Sequence, residues 1–596
     1  MATLVDICLP VVINNDFWRV QRRQLQTIPE HIANALLAGL SRRGQIDFVN
    51  LGLFSHTCSA VHISGRDIGG EARAWLHAIS HFSGLRVLHI TGAERLQEDA
   101  LGMLAPLAAT LRELSLCGCS LLRDRAGHHL QALTQLTSLD IGGTKIPSGS
   151  IMDLRSLAVL SVREGVISGH SSSSRSFSQL QALRALDVSD TDMGNAELVQ
   201  LQPLSRIREL KLTWTKVTRP PLVASLTGLE MGNVEVAPTL EDLDWLQDNG
   251  PCLRLERLQL PGATVEPRGE AYLRSVLQCS AASLTRLDLG HVAASSLEFL
   301  EGLSQQNTLH ALDISGCQKL SDLHLLRHMT SLRDLDLSQT DTDDRGVFRI
   351  AAMPHLSRLH LRETAVTASA LRGLADLKGL QSLDISHTRV HQGVRHLGAP
   401  GALSPRTLLA IGTKLSDRDV QAIIGFMGRQ LQELQLGTSI LEGITCLRAA
   451  AGALQTLVLA GCNCVTEERL KSAAGRFTAL RCLVVHHCFL LTEGLAADVA
   501  LWSPTTLVHL SIDAASYSID GERGLRLAVR LDPLQMKQLP QRRTTAEGLQ
   551  AYDERFRYSR TELESIAQSV QHDCSAYACA ALSEAVQSLD LAAARK

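Results

Sequence analysis

Leucines recur along this chain at fixed spacing. In Leu111-Arg-Glu-Leu114-Ser-Leu116-Cys-Gly-Cys119, positions one, four and six are apolar and a small residue stands at nine. The same frame starts at Leu85, Leu136, Leu157, Leu183, Ile207, Leu226, Leu255, Leu284 and Leu309. It continues at Leu332, Leu356, Leu380, Leu431, Leu454, Leu480 and Leu507, with degenerate copies near Cys58 and Arg406. Typical starts lie 24 to 26 residues apart. The L-x-L centre alternates with period two, which predicts a short strand with one buried face. The rest of each unit must cross back over that face. Several crossings, such as 343–352 ahead of Met353-Pro354, have helical spacing.

One unit cannot bury its apolar face alone, so neighbours stack, pair their strands and share a leucine core. The pattern of about nineteen units resembles leucine-rich repeats. The expected fold is an α/β leucine-rich repeat solenoid: a curved horseshoe with a parallel sheet on the concave side, helices on the convex side and helical caps at both ends. Position nine is Cys at Cys119, Cys317, Cys462 and Cys488, and Thr at Thr144, Thr191, Thr215, Thr340, Thr364 and Thr388. A small side chain there bonds turn backbone groups in a tight interior. Cys117-Gly-Cys119 and Cys462-Asn-Cys464 are therefore read as structural, since C-x-C without a second pair does not match zinc-site spacing. Units of 24–26 residues carrying Cys resemble the ribonuclease-inhibitor-like class found in many ubiquitin-ligase receptors, over residues 58–515. Three stretches break the rhythm: 163–178, with Ser171 to Ser174; 232–252; and 391–405, rich in Gly and Pro. They read as surface loops, with partner-specific loops as the alternative.

Composition narrows the picture. Of 596 residues 45% are apolar but only 4% aromatic, so the core is built from aliphatic side chains. Lys and Arg total 58 against 61 Asp and Glu, a net charge of −3, which excludes a generally basic nucleic-acid binder. No run approaches the ~18 apolar residues of a membrane span. Met1 to Asp6 lack a basic signal-peptide region. The expectation is cytoplasm or nucleus, with the 14 cysteines reduced.

Residues 1–57 fall outside the repeat. They open Thr3-Leu4-Val-Asp-Ile-Cys8-Leu-Pro-Val-Val12, and Ile28-Pro29-Glu-His-Ile32-Ala-Asn-Ala-Leu36 follows. Pro29 suits a first helical turn with Thr27 as N-cap, and Ile32, Leu36, Leu37 and Leu40 form an apolar stripe. Leu4, Cys8 and Val12 resemble the elongin-binding box. Ile28, Pro29, Ile32 and Leu36 resemble the cullin box of von Hippel–Lindau-type receptors. In tandem before a repeat array they resemble the Zyg-type substrate receptors of cullin–RING ubiquitin ligases. The resemblance implies an amphipathic helix docking Leu4 and Cys8 into an apolar pocket of elongin C, with Ile28, Pro29, Ile32 and Leu36 reaching a cullin. Pro10 departs from the pattern by falling inside the box. Ile28-Pro29-Glu30 also resembles the start of an F-box, which implies a Skp-type adaptor instead. The plain alternative is a cap that seals the array.

Trp18 to Leu25, Leu212 to Val217 and Asp553 to Leu563 resemble plant-type ribonuclease-inhibitor-like proteins, which implies no catalysis. Beyond residue 515 the frame stops. Residues 516–596 are expected to form a C-terminal cap and tail, with helical spacing over 561–591 and Ser559 in a basic context.

Strand positions three, five and seven should face away from the core. Position five is Asp at Asp140, Asp187, Asp288, Asp313, Asp336 and Asp384, and position three adds Asp334, Glu113, Glu209 and Glu433. Strands ~4.8 Å apart would stack these into an acidic stripe, strongest at Asp313, Asp334, Asp336 and Asp384 and interrupted by Arg358, His360 and Arg362. Such a face suits a basic peptide or free amino terminus, although L-D-L-S is also ordinary repeat vocabulary. Trp214, at position eight, is a candidate anchor or a gap cover. No nucleotide-binding, metalloprotease or hydrolase motif occurs. Asp341 to Gly346 fails as a calcium loop because Ala352 stands at its twelfth position. His77 and His81 read as surface or packing residues. The expected protein is a non-catalytic substrate receptor without cofactor or metal, and a monomer outside its complex. It binds a protein substrate and an elongin C or Skp-type adaptor with a cullin. The rivals are a plain scaffold and a GTPase-activating protein.

Overall fold

A leucine at strand position four has one place to go once strands stack, and the computed structural model puts it there. The structure describes residues 28–42, 46–68, 70–167, 176–219, 223–237, 253–265, 267–292, 298–303, 308–317, 323–394, 401–427, 430–437, 445–462, 476–486, 509–512, 515–519 and 525–530, with positions 397, 465–466, 488 and 507. Leu4, Cys8 and Val12, the core of the serine-rich loop, most of 232–252, Ser559 and the 561–591 segment lie outside the described residues.

The chain divides into two compact units. The first is Met1–Ala294 with Phe299–Leu309, and the second is Ser295–Glu298 with His310–Lys596. In unit 1, Ala60–Ser64, Val87–Thr91, Glu113–Ser115, Ser138–Asp140, Val159–Ser161, Ala185–Asp187, Glu209–Lys211, Gly228–Glu230, Arg257–Gln259 and Arg286–Asp288 each pair in parallel with the next. The register aligns Val61, Leu88, Leu114, Leu139, Leu160 and Leu186 in one buried row, and Ile63, Ile90, Leu116 and Ile141 line the next. Unit 2 repeats the plan through Ala311–Asp313, Asp334–Asp336, Arg358–His360, Ser382–Asp384, Thr407–Ile411, Glu433–Gly437, Thr456–Ala460, Cys482–His486 and His509–Ile512. The pairing then turns antiparallel through Ala515–Ile519 and Leu525–Arg530. Each unit is thus a stretch of leucine-rich repeat solenoid.

Crossing length decides what returns the chain. The 29-residue unit starting at Leu255 accommodates the helix Pro267–Ser280, whereas the 21-residue unit starting at Leu136 has room only for a 3-10 turn, Ser148–Ile151. The helical spacing over 343–352 becomes Asp344–Ile350, capped by Asp343, whose side chain accepts from the Gly346 amide at 2.9 Å. Of the aspartates in the failed calcium loop, Asp343 makes this cap and Asp344 accepts from the Thr367 amide and hydroxyl, both at 2.7 Å.

Beyond the three-residue strands a second ladder continues on backbone alone. From the repeat starting at Leu85 onward, position eight takes a left-handed conformation in the described repeats: Gly92, Gly118, Gly143, Glu164, Asp190, Trp214, Asn233, Gly262 and His291 in unit 1, and Gly316, Gln339, Glu363, His387, Gly412 and Gly461 in unit 2. Its amide donates to the position-seven carbonyl of the following repeat, as in Gly118 to Gly142 at 2.8 Å, Trp214 to Gly232 at 3.0 Å and Gln339 to Arg362 at 2.7 Å. Position nine then closes the turn. Thr144, Thr191, Thr340, Thr364 and Thr388 donate to the carbonyl three residues back at 2.6–2.7 Å. Where Cys replaces Thr, the thiol reaches the preceding repeat instead, Cys119 to Ile90 at 3.5 Å and Cys488 to Leu459 at 3.7 Å.

The helix Glu30–Arg42 packs on the first strand. Ala33, Leu36, Leu37 and Leu40 are buried. Asn34 accepts from the Ser59 and Ala60 amides at 3.1 and 3.3 Å and donates to the Ser59 hydroxyl at 3.1 Å, and Ser41 donates to the His62 carbonyl at 2.8 Å. An edge strand offers unpaired amides that attract other chains, and this helix blunts that edge.

Candidate recognition face

Positions four and six sink into the core, so three and five carry the side chains that can meet a partner. In unit 2 the register places Asp313 beside Asp336, Asp336 beside His360, and His360 beside Asp384. At position three, Asp334 lies beside Arg358. Arg358 donates from Nε and Nη2 to the same Asp334 oxygen at 2.9 and 2.6 Å. Arg362 pairs with Glu363 at 3.2 Å, and Gln339 donates to the other Glu363 oxygen at 2.8 Å. The structure therefore assembles Asp313, Asp334, Asp336, Arg358, His360, Arg362 and Asp384 on one stretch of adjacent strands.

The aspartates have a second occupation. Oδ1 of Asp313, Asp336 and Asp384 each accepts the amide two residues on, from Ser315, Ser338 and Ser386, all at 2.8 Å. Asp140, Asp187 and Asp288 do the same at 3.0 Å. An Asp at position five thus satisfies a donor at the strand exit, and one oxygen of each is committed to the backbone. Burial and the neighbouring Asp313 push the Asp336 carboxyl up to about 6, against the pull of His360 and Ser338. Asp384 is buried outright. The stripe is a row of half-engaged carboxylates crossed by a cationic strand. Burial opposes it, but the Arg362 guanidinium and the Gln339 amide hold Glu363 below the usual carboxylate range.

Trp214 belongs to unit 1. It is 52% exposed at φ 57°, a conformation costly for a bulky residue. The same unit carries polar pairs that the acidic-stripe reading passed over. Lys211 pairs with Glu230 at 3.2 Å and Arg257 with Glu209 at 2.7 Å. His62 and His89, both at position five, face each other with Nδ1 atoms 3.0 Å apart, and His89 Nε2 lies 2.8 Å from Glu113. Two histidines at position five were the available signal, but the first sits in a degenerate copy of the frame. The His77 and His81 rings meet at a tilt of 56° with centroids 4.7 Å apart, and the His81 ring Nδ1 lies 2.7 Å from the His77 carbonyl.

Of the N-terminal residues within the described part, Pro29 is exposed, Ile28 and Ile32 are half-exposed, and Leu36 is 2% exposed and faces the array. Among the described residues no three His, Cys, Asp or Glu side chains form a metal cage, and no helix is long and apolar enough to cross a membrane.

A family model described as a leucine-rich repeat region matches residues 68–303. The chain carries a leucine-rich repeat region, and that region supports a protein-binding role. No curated protein matches the chain. Among solved structures, it is similar to a leucine-rich repeat protein of Leptospira interrogans at 16% identity and TM-score 0.39, covering 64% of this chain and 91% of that one. It is similar to an internalin of Listeria monocytogenes at 16% identity and TM-score 0.30, covering 66% and 85%. The TLR13–ssRNA13 complex aligns at 16% identity and TM-score 0.36, covering 79% of this chain and 63% of that one.

Proposed function

We propose that this protein is a non-catalytic substrate receptor of a cullin–RING ubiquitin ligase, working in the cytoplasm or nucleus. In this reading residues 1–57 engage the ligase, 58–515 capture the target and 516–596 close the array. Leu4, Cys8 and Val12 dock elongin C, while Ile28, Pro29 and Ile32 offer an accessible edge to the cullin. A Skp-type adaptor in place of elongin is the variant of the same reading. Substrate capture falls to the outward face of the repeats. The observation that carries it is the exposed charged strand at Arg358, set between Asp334 and Ser382 in register and backed by Asp336, His360 and Asp384. Opposite charges held at strand spacing select a partner segment of alternating sign, with an amino group for the carboxylates and a carboxylate for Arg358.

One observation favours the scaffold alternative. Asn34 and the buried Leu36 commit the helix Glu30–Arg42 to sealing the sheet edge, a role that needs no ligase. Co-purification of elongin C and a cullin with the full chain separates the two. The receptor reading expects both partners with the wild type and neither with Leu4→Ala/Cys8→Ala. Equal recovery with the variant overturns the box, and recovery with neither form leaves the scaffold.

A further inference from the structure

We propose that His62 and His89 form a two-imidazole clamp for a divalent transition-metal ion of the Ni2+ or Cu2+ type. The two residues are register partners on adjacent parallel strands, so the sheet itself fixes their separation. Their rings are edge to face, 81° apart in plane with centroids at 4.5 Å, and the Nδ1 atoms converge to 3.0 Å.

The ring tautomers follow from Glu113. In a neutral His89 ring the Nε2–H donates to Glu113 Oε1, 2.8 Å away, which leaves Nδ1 with its lone pair. That lone pair accepts from Nδ1–H of His62. A metal ion takes the place of this bridging proton, which shifts to Nε2 of His62. The backing of a ligating histidine by a carboxylate on its far nitrogen is the arrangement that orients metal-bound imidazoles.

The spacing suits a cis pair of imidazoles on one ion. With metal–nitrogen bonds of ~2.05 Å, two nitrogens 3.0 Å apart subtend an angle of about 94° at the metal. That is the cis angle of square-planar or octahedral coordination, and tighter than the tetrahedral angle of zinc. The remaining positions face outward, where water or a partner's side chain completes the shell, since His62 is exposed and His89 half-exposed.

The test is calorimetric titration of the full chain with Ni2+ near neutral pH, in a His77→Ala/His81→Ala background that removes another close histidine pair. The clamp predicts that the background protein keeps a Ni2+ equivalent that His62→Ala and His89→Ala each lose, with circular dichroism unchanged. Glu113→Gln weakens it about 10–100-fold. Independently, paramagnetic resonance of a bound Cu2+ equivalent shows two imidazole nitrogens in the parent and fewer in His62→Ala. Unchanged Ni2+ stoichiometry and affinity in His62→Ala and His89→Ala, or loss of the equivalent with the His77/His81 pair, overturns the site.

Discussion

Arg358 holds Asp334 across two neighbouring strands, sending both its Nε and Nη2 to one carboxylate oxygen at 2.9 and 2.6 Å. The arginine side chain is 49% exposed, so water screens the pair. Arg358→Ala is expected to change the free energy of unfolding by less than about 1 kcal/mol in urea titration. A drop of several kcal/mol would mean that the pair holds the sheet together and is unsuited to trading its bonds for a partner's.

Asp336 gives the fold a signed pH dependence. Its carboxyl keeps its proton up to about 6 in the folded chain, against an ordinary value of 3.8. Folding therefore gains from this group at low pH, and that contribution is lost as pH rises from about 4 through about 6. Glu363, held below its ordinary value, acts in the opposite sense at lower pH. Asp336→Asn keeps an acceptor for the Ser338 amide and removes the charge. The variant should gain on the wild type by at least about 1 kcal/mol between pH 4 and pH 7. Parallel stability curves across that range would refute the assignment.

The left-handed position eight predicts opposite outcomes for two substitutions. Gly143 sits at φ 67°, and an added Cβ would lie 3.2 Å from the Gly118 Cα. Gly143→Ala is expected to cost about 1–2 kcal/mol. Trp214→Gly relieves a strained exposed residue, and its stability should stay level or rise by up to about 1 kcal/mol. If Trp214→Gly destabilises by more than that in thermal unfolding, the ring is a structural cover and not an anchor.

The cysteines sort by burial. Cys58 and Cys119 are buried, and burial pushes their thiols up to about 12 and about 11. Cys117 is exposed, although burial of its thiol and nearby Asp140 raise it somewhat. Iodoacetamide followed by mass spectrometry should label Cys117 in the folded chain well before Cys58, Cys119, Cys462 or Cys488, which react only after denaturation. Early labelling of Cys119 would contradict the position-nine geometry.

The repeat frame was legible because burial alternates within a few residues: Leu114, Leu139 and Leu335 could be assigned to the core from their own neighbours. The crossing helix near Asp344 followed for the same reason. Position eight was not legible, because glycine marks the left-handed turn at Gly118 and Gly143 but Glu164, Asp190 and Trp214 adopt it unmarked. Asp313, Asp336 and Asp384 could be placed on the outward face, yet their bonds to the next serine amides depend on how the strand ends. The meeting of His62 with His89 depends on cross-strand register 27 residues apart, which local spacing does not reveal.

The backbone ladder past the strands ties each coil to its successor through an amide and a carbonyl that every residue except proline can supply. A duplicated coil therefore splices in without inventing new side-chain fit at the turn, and a deleted one leaves matching ends behind. Lineages can lengthen, shorten and reshuffle such an array while its outward residues diverge to follow new targets.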